Sequence, residues 1–138
     1  MSAKIISLIN NKGGVGKTTS TGVIAELLAY LGAKVLCVDI DQQSNLSMML
    51  NCYIEDSADV INGISQPDEK NITELFKYRY RSADDVRALI RETSVQNLHI
   101  IPSSKRHKKT PLNITSNETG NNNIILKKAL ATIRDDYD

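Results

Sequence analysis

A glycine-rich loop with two lysines constrains the fold of this chain more than any other feature. Residues 12–19 read KGGVGKTT, and they directly follow a short apolar run, IISLI at residues 5–9. In the common P-loop pattern, glycines let the backbone come close to a ligand and main-chain N–H groups cradle phosphate oxygens. The order apolar run, loop, helix therefore predicts a phosphate-binding site. An ordinary glycine-rich turn before a helix is the alternative.

Each residue of this loop has a predicted role. A helix that begins near Lys17 would direct the positive end of its dipole at an anion. Lys17 would reach the β- and γ-phosphates, and the Thr18 hydroxyl would ligate Mg²⁺. The predicted nucleotide-binding residues are Lys12, Gly13, Gly14, Val15, Gly16, Lys17, Thr18 and Thr19.

The first forty residues predict a βαβ unit. The run at residues 5–9 is typical of a buried parallel strand. Residues 17–31 carry apolar side chains at helical spacing and are followed by Gly32, a residue that commonly ends a helix. Residues 33–40, AKVLCVDI, predict a second strand. A parallel sheet with a right-handed crossover follows from this order.

The remaining chain adds helices and one strand. We predict a loop and a short helix in 42–50, mostly loop in 51–71, and short helices at 72–78 and 82–92, the latter opened by a Ser82–Asp85 capping box. A third strand is predicted at 98–101, a polar loop at 103–123 and a last amphipathic helix at 124–136. The predicted fold class is α/β: a P-loop NTPase with a mostly parallel, doubly wound sheet and flanking helices.

Composition excludes several other classes of protein. The chain is 41% hydrophobic and 24% charged, as globular domains are, and its net charge of +1 gives no strong field toward nucleic acid or a membrane. No run approaches the about 20 apolar residues of a membrane span. The two cysteines lack C-x-x-C spacing, and the N-terminus leads straight into a predicted strand. We therefore expect a cytoplasmic protein with no membrane partner.

Two carboxylates follow the second predicted strand. Asp39 and Asp41 lie at its carboxyl end, where ligands bind in open α/β sheets. Because strand side chains alternate, both carboxylates would lie on one side, near the loop. There they could hold Mg²⁺ or orient an attacking water. The alternative is that they cap the next helix.

These residues resemble a known family. KGGVGKTT, with its leading lysine, is similar to the deviant Walker A motif of the ParA, MinD and nitrogenase-iron-protein group. VDIDQQSNLS at residues 38–47 resembles the VDLDPQGNAT segment of ParA/Soj-type partitioning ATPases, so the match favours the partitioning branch. Looser similarity at residues 72–76, 98–103 and 129–138 extends over nearly the whole chain.

The resemblance implies roles for matching residues. Lys12 corresponds to the lysine that reaches the partner's nucleotide across a dimer interface, and Lys17 to the phosphate lysine. Asp41 corresponds to the residue thought to position the hydrolytic water. The implied catalytic residues are thus Lys12, Lys17 and Asp41, and the implied metal residues are Thr18, Asp39 and Asp41.

The resemblance also implies a function. The expected protein is an ATP- and Mg²⁺-dependent dimer switch in plasmid or chromosome segregation. Its expected partners are a second copy, a centromere-binding ParB-like protein and, in a full-length form, non-specific DNA of the nucleoid. A regulatory nucleotide-binding protein with little hydrolysis, and a MinD-like site regulator, are the alternatives.

Two departures bear on hydrolysis. The family's Pro and Gly are Gln42 and Ser44 here, which loosens the switch turn and removes easy access to positive φ. The sequence also ends at Asp138, where family members continue into the Walker B strand. The expectation is therefore that residues 1–138 are the N-terminal portion of a single ParA-like ATPase domain. A basic cluster at residues 105–109 could contact DNA phosphates, although a solvated loop is the commoner role.

Overall fold

The computed structural model describes residues 2–9, 12–41, 43–54, 62, 70–77, 82–103 and 119–138, without the side chains of 77 and 119–123. Within these ranges the helices are α1 (Lys17–Tyr30), α2 (Asn45–Met49), α3 (Thr73–Lys77), α4 (Ala83–Arg87) and α5 (Thr119–Ala131), with a 3₁₀ turn at Arg134–Asp136. The strands are β1 (Val35–Val38), β2 (Arg91–Glu92) and β3 (Leu98–Ile101). The predicted basic cluster at residues 105–109 and most of the predicted loop at 51–71 lie outside the described residues.

The three strands form one mixed sheet in the order β1–β3–β2. β1 runs parallel to β3, with Val35 opposite Leu98 and Val38 opposite Ile101. β2 pairs with β3 in the antiparallel direction. The predicted α/β class is confirmed. The predicted βαβ unit is not, because among the described residues no strand precedes α1, and β1 pairs instead with the later strand β3.

The prediction of a first strand at residues 5–9 is wrong. The structure has no strand there, and Ile5, Ile6 and Ile9 are 57%, 69% and 85% exposed. Pairing ends just before this run: Lys4 N–H donates to the carbonyl oxygen of Asp138, and Asp138 N–H donates to the carbonyl of Lys34. An apolar run has the composition of a buried strand, but it becomes one only where a neighbouring strand supplies hydrogen bonds and cover.

A second difference is β2, which sequence periodicity assigned to the end of a helix. The predicted capping box is present, because Ser82 Oγ accepts from Asp85 N–H while the Asp85 carboxylate accepts from Ser82 N–H. Helix α4 nevertheless ends at Arg87, where the amides of Leu89 and Ile90 turn to carbonyls three residues back. Tightening of this kind is common at a helix end. Arg91 then enters the sheet opposite Ile100.

Two apolar clusters hold the elements together. One joins α3, α4 and α5 to one face of the sheet and contains Ile72, Leu75, Val86, Leu89, Ile101, Ala129 and Ile133. The other joins α1 and α2 to the opposite face and contains Ala25, Ala29, Cys37, Leu46, Leu50, Leu98 and Ile100. Both clusters consist mainly of aliphatic residues, and Tyr137 also belongs to the first, in keeping with the 4% aromatic content.

The C-terminal residues are tied to the sheet by polar and aromatic contacts. The Tyr137 hydroxyl lies 2.9 Å from His99 Nδ1, and Lys34 Nζ lies 5.3 Å from the centre of the Tyr137 ring. Burial raises the pKa of Tyr137 to about 12, so the phenol stays protonated. These contacts hold residues 134–138 beside the start of β1.

Helix α1 has close to its predicted bounds. The side chains that it buries are not the large apolar ones whose helical spacing predicted the helix. It buries its small residues Gly22, Ala25 and Ala29, whereas Val23 and Leu27 are 52% and 55% exposed. In the described ranges, no helix combines the length and hydropathy needed to cross a bilayer.

Candidate nucleotide-phosphate site

The loop before α1 has the backbone conformation that its glycines permit. Gly14 and Gly16 have φ values of +69° and +80°, in the left-handed region. A Cβ at Gly13 or Gly14 would meet no atom within 4 Å, so the surface above the loop is open. Residues 12–16 are all exposed. The loop thus offers its main chain to a ligand, as the motif predicts.

The N-terminus of α1 lacks a side-chain cap among the residues that the structure describes. Its cap residue is Gly16, no side chain caps the helix, and its first turn contains no acidic residue. Helix α4 differs, since Ser82 and Asp85 cap it on both sides. The first N–H groups of any helix need an acceptor from outside the helix. At α1 the open loop and the helix dipole favour an anion in that place.

Lys17 lies at the mouth of this loop. Its Nζ donates to the carbonyl oxygen of Lys12 at 3.0 Å. This bond spans the loop from the first helical residue to the leading lysine. A phosphate oxygen is a stronger acceptor for an ammonium group than a carbonyl is, so the same Nζ can turn to an incoming phosphate.

The two threonines follow directly in the first turn. Thr18 is half-buried and Thr19 is exposed. The helix is secured behind them by Ser20 N–H donating to the carbonyl of Gly16 at 2.8 Å and by Thr21 Oγ1 donating to the carbonyl of Lys17 at 2.7 Å. These bonds therefore fix the backbone that carries the Thr18 hydroxyl at the start of the helix.

Asp39 is buried, with 3% of its surface exposed, at the carboxyl end of β1. Its Oδ2 accepts from Ser47 N–H at 2.8 Å and from Ser47 Oγ at 2.6 Å, and its Oδ1 accepts from Asp41 N–H at 3.1 Å. Since Ser47 is in the first turn of α2, Asp39 caps that helix, which is one of the two roles the sequence left open.

Asp41 is different, because its side chain is exposed. Its Oδ1 accepts from Gln43 N–H at 2.9 Å, and its carbonyl accepts from Ser44 N–H at 2.9 Å. These bonds close a tight turn and fix the backbone of Asp41. The rest of its carboxylate remains accessible to a ligand or a water molecule.

The fold brings the loop and the two carboxylates to the same end of the sheet. Helices α1 and α2 pack directly on one another: a Cβ placed on Gly22 would lie 2.6 Å from the Met49 side chain and 3.7 Å from Leu46. Glycine at this position lets the helices pack without displacing the flexible end of the Met49 side chain. Since α2 follows Asp41 and Gly22 lies in the second turn of α1, the close packing places both motifs together.

The residues present fit a magnesium ion. Mg²⁺ prefers oxygen ligands and usually takes one or two from the protein, with the rest from phosphates and water. The Thr18 hydroxyl and the exposed Asp41 carboxylate are donors of this kind. Among the described residues no group of three or more His, Cys, Asp or Glu could hold a metal ion.

Sequence reasoning missed three serines in this region. Ser44, Ser47 and Ser103 are all fully buried. Ser103 N–H donates to Ser47 Oγ at 2.9 Å, which connects the end of β3 to the network around Asp39. Among the described residues, neither the Ser44 hydroxyl nor the Ser103 hydroxyl has a hydrogen-bond partner. Serine is polar, and no hydrophobic periodicity around these three positions marks them as buried.

Cys37 has the inert role that its strand position predicts. It is buried, and burial together with the negative charge of Asp39 raises the pKa of its thiol to about 11. At neutral pH it is therefore protonated and behaves as a small core residue.

Comparison with known proteins finds similarity over nearly the whole chain. A family profile described as "AAA domain" matches residues 3–138. The sporulation initiation inhibitor protein Soj of Bacillus subtilis is 33% identical over 135 residues, which are 98% of this chain and 47% of that protein. The septum site-determining protein MinD of Escherichia coli K12 is 33% identical over 111 residues, 80% of this chain and 36% of MinD.

Solved structures show the same fold. A complex of Cyanothece McdA with ATP superimposes with a TM-score of 0.66 at 27% identity and covers 94% of this chain and 43% of McdA. A plasmid partition protein from Borrelia burgdorferi gives a TM-score of 0.61 at 27% identity, with 92% and 49% covered. The chain thus spans less than half the length of these relatives.

The profile match, the relatives and the loop geometry agree with the deviant P-loop predicted from the sequence. The chain therefore belongs to the AAA domain family, in its ParA/MinD-type group of P-loop ATPases.

Proposed function

We propose that this chain binds ATP with Mg²⁺ and, in the whole protein, acts as an ATP-dependent dimer switch of a DNA-partitioning system. One observation carries the proposal: α1 begins without a capping side chain or a carboxylate, behind two left-handed glycines, with Lys17 at the loop mouth. An anion is the chemical group that such a helix start lacks.

The site residues divide the work in this proposal. The amides of residues 13–19 and the Lys17 ammonium bind the phosphates. The Thr18 hydroxyl and the Asp41 carboxylate are positioned to take Mg²⁺, which when bound would neutralise phosphate charge. Asp39, whose oxygens already accept three hydrogen bonds, contributes by holding this region rather than by exposing a free carboxylate.

Lys12 acts on the other protomer. Its side chain is exposed at the front of the loop, and only its main-chain carbonyl is needed by Lys17. A cation supplied in trans stabilises charge that develops on a transferring phosphoryl group. Asp41 then orients the attacking water. ATP thereby joins two copies, and hydrolysis separates them.

The partners follow from the partitioning relatives. The ATP-bound dimer would bind DNA without sequence preference, and a ParB-like protein on a centromere-like site would stimulate hydrolysis. The location would be the cytoplasm, in association with the nucleoid. The name of the Treponema pallidum relative, a chromosome-partitioning ATPase 30% identical over 135 residues, supports this assignment.

Calorimetry tests the binding step. Titration of the chain with Mg–ATP should give saturable heat, and the same titration with inorganic sulfate should not. A folded chain that releases no heat with millimolar Mg–ATP would overturn the proposal.

A second candidate is a regulatory protein that binds nucleotide without useful turnover. Ser44 favours it, because a residue with a β-carbon holds a left-handed conformation three residues after Asp41, at the position where the resembled family has glycine. Measuring phosphate release with DNA present separates the two functions: turnover supports the switch, and stable binding without turnover supports the regulator.

A further inference from the structure

Ser47 occupies a junction that none of the motif roles explains. Its side chain is fully buried in the first turn of α2, eight residues after Asp39 and far from Ser103 in the sequence. It contacts both: Oγ lies 2.6 Å from Asp39 Oδ2 and 2.9 Å from the backbone nitrogen of Ser103. The hydroxyl thus joins the carboxyl end of β1 to the carboxyl end of β3.

The chemistry of a hydroxyl group fixes the direction of these bonds. Ser103 N–H can only donate, so Ser47 Oγ accepts from it. The single proton of the hydroxyl is then directed at Asp39. A bond of 2.6 Å from O–H to a carboxylate is a charge-assisted one, roughly twice as strong as a neutral bond.

Asp39 in turn positions Asp41, the residue that would face the ligand. Its Oδ2 receives both the hydroxyl and the amide of Ser47, and this pair of bonds sets the plane of the carboxylate. Its Oδ1 accepts from the amide of Asp41 at 3.1 Å. Three hydrogen bonds to the Asp39 carboxylate stabilise this buried polar side chain.

We propose that Ser47 is a positioning residue for the nucleotide site: through Asp39 it holds the backbone of Asp41 in place. This inference rests on the proposed function only for its consequence in hydrolysis. The structural relay, Ser103 to Ser47 to Asp39 to Asp41, stands on the four hydrogen bonds themselves. Each link is short, and all except the last to Asp41 are buried.

Hydrogen exchange of the nucleotide-free chain tests the relay. In Ser47→Ala the amide of Asp41 should exchange about tenfold faster than in the wild type, because its acceptor has lost its orientation. Ser47 does not touch that amide, so a simple loss of local contacts would leave it unchanged. Ser47→Thr keeps the hydroxyl and should restore the protection to within about threefold.

Ser82→Ala is the matched control, since it removes another capping hydroxyl from a short helix elsewhere in the chain. It should leave the exchange rate of the Asp41 amide as in the wild type. Equal exchange at Asp41 in wild type and Ser47→Ala, or equal acceleration in Ser82→Ala, would overturn the relay.

A steady-state ATPase assay adds the functional consequence. Ser47→Ala should lower kcat about tenfold and leave KM within about twofold, because phosphate binding does not use Ser47. A KM that rises while kcat holds would contradict the positioning role. If the wild type fails to hydrolyse ATP, the proposed turnover fails, while the exchange experiment still decides the relay.

Discussion

The Lys17 ammonium donates to the main-chain carbonyl of Lys12 at 3.0 Å, so the two lysines of the loop are linked through one side chain and one backbone group. The bond holds the Lys17 side chain over the open face of the loop. Because its acceptor is a main-chain carbonyl, no carboxylate takes the place of a phosphate. An ammonium held by a neutral carbonyl loses little when a phosphate replaces that acceptor. Because this bond uses only the main-chain carbonyl of Lys12, replacing the Lys12 side chain and replacing the Lys17 side chain should have separable effects.

Replacing Lys17 by Ala should abolish the phosphate contact. We expect the Kd for Mg–ATP to rise at least about thirtyfold, as loss of a charge-assisted hydrogen bond predicts. Calorimetry measures it. Lys127→Ala, which removes an exposed lysine from α5, is the control and should bind as the wild type does. Equal affinity in all three proteins would show that the loop does not bind the nucleotide.

Replacing Lys12 by Ala should separate binding from assembly. Because the Lys12 carbonyl remains, the loop and Lys17 keep their arrangement, and the Kd for ATP should stay within about threefold. Association of two copies in the presence of ATP should disappear, as light scattering after size-exclusion chromatography can show. A variant that still forms ATP-dependent dimers and hydrolyses ATP at the original rate would remove the trans role from Lys12.

The local parts of this structure could be predicted, because short-range chemistry determines them. The start of α1 at Lys17, the capping box at Ser82 and the bounds of β3 all follow from neighbouring residues. Strand pairing is not local. Residues 5–9 have the composition of a buried strand but no partner beside them, and β2 forms because β3 accepts it.

The site, too, has parts that neighbouring residues determine and parts that depend on distant packing. The glycine loop follows from the motif. The period of two does not extend to the carboxylates, because β1 ends at Val38, and Asp39 is buried whereas Asp41 is exposed. That Asp39 would cap α2 was an open alternative, and the structure gives it hydrogen bonds of this kind from Ser47. The bond between Ser103 and Ser47 joins residues 56 positions apart, and only the packing of β3 against β1 brings them together.

Ser44→Gly should stabilise the chain. Ser44 has a φ of +56°, which costs a residue with a β-carbon about 1–2 kcal/mol, and its buried hydroxyl has no partner. We expect Tm to rise by roughly 3–8 °C.

Asn51→Gly is a matched control for this change. Asn51 has a φ of +55°, but it is exposed, and asparagine tolerates this conformation. Its Tm should change by less than about 2 °C. Equal shifts in the two variants, or a fall in Ser44→Gly, would contradict the strain at Ser44.

The ion pair between Arg87 and Asp136 should make stability depend on acid pH. Arg87 Nε donates to Asp136 Oδ2 at 2.7 Å, and this hydrogen bond lowers the pKa of Asp136 below its ordinary value of 3.8. A carboxyl with a lowered folded-state pKa stabilises the fold above the unfolded-state pKa, and the gain is lost as the pH falls through the folded-state pKa. Asp136→Asn should therefore flatten the dependence of Tm on pH below about pH 4.

Asp84→Asn provides the comparison, since Asp84 bonds to the same guanidinium at 2.9 Å but is 91% exposed. Solvent screens a pair of that kind. The Asp84 variant should keep a pH dependence close to that of the wild type. If it flattens the curve as much as Asp136→Asn, the bond to Asp136 is not the source of the effect.

Ile6→Lys tests whether residues 5–9 lie outside the core of this chain. Ile6 is 69% exposed, so a lysine there should change the free energy of unfolding by less than about 0.5 kcal/mol. It should also reduce aggregation, since it places a charge within an exposed apolar run. Ile72→Lys, at a position with 0% exposure, should unfold the chain because it buries an unpaired charge. Thermal unfolding followed by circular dichroism, together with light scattering, measures both effects. If Ile6→Lys unfolds the chain as Ile72→Lys does, residues 5–9 form a buried strand after all.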